Sequence, residues 1–489
     1  MSRGRRSTRS RRVGKQRCQQ ARHRNKTHLV ELLRWFLAKG ELFSKDEFHG
    51  NTRWDPEQLA AQALIWSWQE TKHVTDAFAH STEVCEELGW KKTARSYTSL
   101  MNALERYDQI WMRRLRQRCQ NLAEQVGGRF FRTEGWVLIG FDGSRATAPR
   151  TVSNERAFCA PHYGHGKRAK YGKKKSKGLR RKRNKQHPPH RQGPQAWITM
   201  MWHMGLRLPW TWRLGPSHAS ERDHVKEMLA AEEFPEDTLF CGDAGFTGYP
   251  LWQAIREAGG DFVVRVGSNV NLLSEHADVK KLGGGIVLCW PKGQRESGQP
   301  PLHLRLARIQ IGKTKMWLLT SVLDPQQLSR KQLKRVYQMR WGIELEFRGL
   351  KQTLDKHELR CRSSDRLLAE LNWSLCGMAV AELLAVREQI AASDPEQQPD
   401  YDPQDRSLAS TMRVLRSTMR NLAKECGRAQ NLLNQLSQAK VQRYHNRTDK
   451  RARYRPANPD KKPLGEPTVR KLNANEREIL RTQDHRIAA

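Results

Sequence analysis

The 489-residue chain carries 88 lysines and arginines against 51 acids, a formal net charge of +37. An excess of that size, spread along the chain rather than held on one amphipathic helix, calls for a polyanionic partner and favours nucleic acid over a membrane surface; by charge alone, a ribosome-associated or nonspecifically basic protein stays open. Nine cysteines without a CxxC pair exclude a zinc ribbon or a disulfide framework, and fit a reducing cytosol.

The length allows a sizeable core in about two to four domains. Residues 1–26, rich in Arg and poor in apolar side chains, read as a basic disordered arm with no signal-peptide core behind it. Residues 27–130 read as a helical N-terminal region. Leu29, Leu32, Leu33 and Phe36 mark one face, Asp55-Pro56 reads as an N-cap with a first-turn proline, and Gly127-Gly128 stop a helix that begins near Ser96.

From residue 131 the pattern changes. Trp136 to Phe141 is a short apolar run delivering Asp142-Gly143-Ser144, and Thr238 to Cys241 is a second, delivering Gly242-Asp243-Ala244-Gly245. Both read as buried strands with an Asp at the carboxyl end, where open α/β sheets collect their chemistry. Between them, Ala196–His203 and Leu206–Arg213 read as strands joined through Met204-Gly205, and Ser220 as the cap of a helix from Glu221 to about Glu232. Tyr249–Ala258 reads as a helix and Phe262–Val266 as a strand, giving an α/β, RNase H-like order over 131–266. Residues 166–191 are too basic to bury a core and read as a phosphate-contacting loop. The nearby Cys159, His162 and His165 read as a chance grouping rather than a zinc site, because a fourth ligand is missing. Short alternating stretches over 267–324 read as a β-rich insertion.

Residues 325–356 return to the core with one long helix, Ser329 to Leu354, which no proline interrupts. Tyr337, Arg340, Glu344 and Lys351 fall within about one 60° sector of it and share a face. A helical C-terminal region follows over 357–443, with an apolar run, Leu371–Val386, too short and too polar to span a bilayer. A proline-rich loop falls at 394–405, and 444–489 read as a basic flexible tail.

The spacing Tyr-x2-Arg-x3-Glu-x6-Lys over Tyr337, Arg340, Glu344 and Lys351 resembles the signature helix of the IS4-type DDE transposases, and the DGS and DAGF-x-GY contexts of Asp142 and Asp243 resemble that family's first two catalytic carboxylates. The resemblance covers about Trp136 to Leu354. It implies an RNase H-like catalytic core in which Asp142, Asp243 and Glu344 hold two Mg²⁺ ions, with Mn²⁺ able to substitute. Oxygen ligands suit these hard cations, and two ions about 3.5–4 Å apart activate both the attacking and the leaving oxygen. Tyr337, Arg340, Trp341, Arg348, Lys351 and Arg145 are the expected DNA contacts, with Trp341, or else Trp290 in the insertion, against an extruded base.

The implied reaction is cut-and-paste transposition. Water frees a 3′-hydroxyl at the insertion-sequence end, the hydroxyl forms and reopens a hairpin, and it then joins target DNA. The implied partners are double-stranded DNA (terminal inverted repeats and target) and a second copy of the chain in a synaptic homodimer, with neither membrane nor organic cofactor. The N-terminal helices would contact the element's end or merely pack on the core. The implied setting is the prokaryotic cytoplasm, on the nucleoid. Alternatives are a domesticated, catalytically silent DNA-binding protein and a DDE-type nuclease without integration. A basic RNA-binding protein ranks third, since no RNA-binding motif stands out.

Overall fold

The computed structural model describes residues 3–38, 42–43, 48, 52–160, 193–276, 278–393, 402–423, 430–441 and 464–488. The expected basic loop 166–191 lies outside them, as do His162 and His165.

In chain order the N-terminal part is helical: α1 (Arg3–Leu37), α2 (Pro56–Trp68), α3 (Val74–Glu87) and α4 (Tyr97–Gly127). Local chemistry sets their ends. Asp55 accepts the Gln58 amide ahead of Pro56, Ser96 accepts the Ser99 amide, and Gly128 leaves α4 at a φ of +47°. The first 26 residues are not a disordered arm: α1 begins at Arg3. Arg, Lys and Gln are good helix formers, no proline intervenes, and the helix is anchored at its far end by Leu29, Leu32, Leu33 and Phe36, all buried.

The core sheet opens with β1 (Val137–Thr147), followed by α5 (Val152–Phe158), β2 (Gln195–His203), β3 (Leu208–Gly215), α6 (Glu221–Ala231), β4 (Thr238–Gly242), α7 (Tyr249–Glu257) and β5 (Asp261–Val266). β1 pairs antiparallel with β2 and β2 with β3, whereas β1 pairs parallel with β4 and β4 with β5. The order β3-β2-β1-β4-β5, three antiparallel strands followed by two parallel ones, is that of an RNase H-like core. β1 and β4 run apolar without alternation because helices cover both faces of the sheet.

Residues 267–324 form β6 (Asn271–Ser274), β7 (Gly284–Cys289), the short α8 (Lys292–Glu296), β8 (Leu302–Ile311) and β9 (Thr314–Thr320). They do not fold as a separate sheet. β9 returns antiparallel to β5 and carries the β6–β8 strands with it, so one continuous ten-stranded sheet results.

The C-terminal part comprises α9 (Arg330–Met339), α10 (Gly342–Arg348), α11 (Ser364–Ala391), α12 (Leu408–Ala423), α13 (Leu432–Ser437), β10 (Thr468–Lys471) and α14 (Ala474–Ala488). α11 is long and apolar enough to cross a membrane by composition, but its apolar window is 89% buried against the other elements. It is the central helix of the fold, longer than its apolar run foretold. The expected flexible tail is corrected over its described part: β10 adds parallel to the edge strand β6. Leu472, Ile479 and Leu480 then cover Leu273, Leu288 and Trp290, while Arg295 and Arg470 both pair with Glu476. An open sheet edge and an uncovered apolar patch are costly, and this segment closes both.

Candidate active site

β1 and β4 advance in step, Val137 opposite Thr238 and Gly140 opposite Cys241. Two residues further on come Asp142 and Asp243; Asp243 follows the end of β4 as expected, whereas Asp142 lies midway along β1, which runs on beside β2 to Thr147. Each carboxylate is oriented by a following amide: Asp142 Oδ1 accepts from Gly143 N at 2.8 Å, and Asp243 Oδ1 from Gly245 N at 2.7 Å. The loop after Asp243 is braced. Asn269 Nδ2 donates to Ala244 O and to Thr247 Oγ1, both at 3.1 Å, and Arg222 Nη1 donates to Thr247 O at 2.9 Å.

Glu344 is presented by α10. The expected single helix Ser329–Leu354 is instead three pieces. Ser329 and Gln332 close a capping box at the start of α9, the helix tightens to i→i+3 bonding at Arg340-Trp341, and α10 runs into a π-helical turn at Gly349–Thr353. Of the four signature residues, Tyr337 and Arg340 are buried, Glu344 is exposed and Lys351 is half-buried. Gly342 lies flat against the indole of buried Trp202 on β2, so a Cβ at this position would overlap the ring. Gly342→Ala is expected to cost about 1–3 kcal/mol by overpacking. It would also swing the Glu344 turn outward, seen as a lower urea midpoint together with weakened DNA cleavage.

The electrostatics tie these groups together. Burial raises the Asp142 carboxyl above its ordinary range; the Gly143 amide opposes this, the Asp243 charge adds to it, Arg340 opposes it, and the Glu344 charge adds again. Arg340 Nη1 stands 3.7 Å from Asp142 Oδ2. Burial works against the Arg340 charge, but Tyr337, Cys241, Asp142 and Asp243 outweigh it and raise its pKa. Its Nε and Nη1 are buried without a hydrogen-bond partner among the described residues, an arrangement suited to an incoming anion.

Sequence reasoning missed one acid here. Glu221, the first residue of α6, is pushed up to about 7 by its burial and then by the charges of Asp142 and Asp243, against which Arg145 and Arg222 act. Its signal in sequence was only its place behind the Ser220 cap.

The other expected DNA contacts scatter around this centre. Trp341 is 57% exposed beside Glu344, with the Arg340 guanidinium 5.7 Å from its ring. Arg348 is exposed; burial lowers the Lys351 pKa. Arg145 is exposed on β1 and stacks over Trp197 at 4.2 Å. Trp290, the alternative wedge, is only 2% exposed and donates its indole N–H to Gln299 O at 2.8 Å, so it serves as core under the C-terminal segment and offers no face to a base.

Asp142 thus lies within electrostatic reach of Asp243 and Glu344, two acids from distant segments, with the buried Arg340 beside it. Residues 141–379 match the family model described as the transposase DDE domain. The chain carries the catalytic domain of a DDE transposase. A domain of this class acts on DNA and depends on divalent metal ions. The transposase domain's donor set suits them, being wholly carboxylate oxygen. Among the described residues no three acidic, His or Cys side chains are close enough to hold a metal ion as they stand.

No curated protein matches the chain. Among solved structures it is similar to a piggyBac transposase in a synaptic complex with hairpin DNA. The two share 14% identity at a TM-score of 0.37, over 86% of this chain and 84% of that one.

Proposed function

We propose that Asp142, Asp243 and Glu344 are the catalytic triad of an IS4-type, cut-and-paste DNA transposase. The observation that carries this reading is that Asp142, midway along β1, and Asp243, just past the end of the neighbouring β4, are brought together, with the Asp243 and Glu344 charges felt at Asp142. The three carboxylates would hold two Mg²⁺ ions, with Mn²⁺ able to substitute, and the ions supply an activated water or 3′-hydroxyl and neutralise the leaving oxygen. The remaining work belongs to the protein. The Gly143 and Gly245 amides fix the two aspartates. Arg340, ion-paired with Asp142 and with Nε and Nη1 lacking a hydrogen-bond partner, would meet the scissile phosphate. Tyr337 holds Arg340 from behind, 5.4 Å from ring to guanidinium. Lys351, Arg348 and Arg145 contact the flanking backbone, and exposed Trp341 stacks on a base drawn out near the cut.

The substrate is double-stranded DNA, first the element's terminal inverted repeats and then the target, synapsed by a homodimer on the nucleoid of a prokaryotic cytoplasm. The test is cleavage of a labelled duplex bearing the flanking repeats, in Mg²⁺ or Mn²⁺. Wild type is expected to yield metal-dependent 3′-hydroxyl ends, and Glu344→Gln to bind the same DNA without cutting it. Equal cleavage by both would remove Glu344 from the site, and binding without cleavage by either would identify a silent DNA-binding protein.

A further inference from the structure

Glu221 is the acid in the cleft that the triad does not use. Ser220 caps α6 and accepts the Asp223 amide at 3.3 Å, which fixes the first turn and aims residue 221 back at the sheet. The Glu221 side chain runs directly over Gly143, the residue after Asp142. A Cβ on Gly143 would overlap Oε1 and lie 2.7 Å from Cδ and 2.9 Å from Cγ. Gly143 has no positive φ to explain the glycine. Its reason is space: a side chain at this point of β1 would expel the Glu221 carboxylate from beside Asp142.

The two cations nearest this carboxylate are engaged elsewhere. Arg145 stacks over Trp197 at 4.2 Å, and Arg222 donates to Thr247 O. Half-burying a carboxylate beside two others is unfavourable unless a cation joins them. Charge balance points the same way. Two divalent ions bring four positive charges, the triad supplies three negative ones, and Arg340 beside Asp142 cancels one of those.

We propose that Glu221 is a fourth carboxylate ligand of the divalent-metal centre, sharing an ion with Asp142, and that Gly143 is glycine to admit it. The proposal rests on the triad reading given above.

Mn²⁺ binding to the full-length chain tests it, measured by calorimetry and by the electron paramagnetic resonance of free Mn²⁺, without DNA. The proteins are wild type, Glu221→Gln, Gly143→Ala, Asp142→Asn and, as a control on the exposed side of the same helix, Glu227→Gln. Glu221→Gln is expected to weaken Mn²⁺ binding by at least the roughly tenfold that even outer-shell partners of a metal site are worth. Gly143→Ala is expected to do the same with every carboxylate still present, and Glu227→Gln to change nothing. Circular dichroism and the thermal midpoint check that each variant is folded; should Glu221→Gln not fold, Gly143→Ala decides. Wild-type Mn²⁺ affinity in both Glu221→Gln and Gly143→Ala, with binding lost in Asp142→Asn, overturns the role of Glu221 and leaves the triad standing. Wild-type affinity in Asp142→Asn as well overturns both.

Discussion

Asp142→Asn is expected to abolish DNA end cleavage, lowering its rate by roughly a thousandfold or more, while affinity for the same duplex stays within a few-fold of wild type. The magnitude follows from the metal's share of the chemistry: several kcal/mol of charge stabilisation, where about 4 kcal/mol is already three orders of magnitude. The change keeps the shape of the side chain. Asp142 lies at the centre of the cleft, touched by Gly143, Arg340 and the charges of Asp243 and Glu344, so no neighbour can replace it. Asp243→Asn is expected to match it. Single-turnover cleavage and a gel-shift titration on one labelled substrate separate the two effects. A variant that loses binding in proportion to cleavage would place Asp142 in DNA recognition instead.

Arg207→Ala is expected to be the most damaging substitution outside the cleft, costing about 3–5 kcal/mol of stability, as for any buried pair stripped of one partner. Arg207 sits in the turn between β2 and β3 at a φ of +55°. Its Nη2 donates to Glu346 Oε1 at 3.1 Å and its Nη1 to Gln404 O at 2.7 Å. Glu346, two residues beyond Glu344, points away from the cleft into the interior, and there it meets Glu382 of α11. Burial first, and then Glu346, hold the Glu382 carboxyl well above its ordinary range, while Arg406 pairs with it at 3.5 Å. Two arginines and two glutamates thus fasten α10 to α11 and to the sheet.

Without Arg207 the buried charge of Glu346 is uncompensated. Adding Glu346→Gln to Arg207→Ala should therefore restore part of the loss, a non-additivity that urea titration of the two single variants and the double variant would read. Cleavage should fall as well, because α10 carries Glu344. A cost below about 1 kcal/mol would mean that the network does not hold α10 in place.

What the sequence determined by itself was local. An apolar run ending in Asp-Gly is a buried strand offering a carboxylate, since both signals lie within a few residues. The cap of α6 at Ser220 and the capping box at Ser329 are equally short-range, and so is the spacing from Tyr337 to Lys351. From these the succession of core strands and helices could be read, and the net charge of +37 separately marked the chain as suited to a polyanionic partner.

Tertiary structure decided what depends on residues far apart in the chain. The signature helix carries a glycine at position 342 because Trp202 of β2 leaves no room there for a Cβ. Nothing between Ser329 and Leu354 announces that. The insertion joins the main sheet because β9 returns to β5, and the C-terminal segment becomes a strand because β6 leaves an edge for it. Trp290 is core rather than a wedge because Leu472 and its neighbours arrive from almost 200 residues away to cover it. Glu221 faces Asp142 because Gly143 leaves the space, a packing fact with no period or motif behind it. Local propensity and patterning specify elements and their ends. Burial, close approach and charge pairing across the chain decide which acids meet.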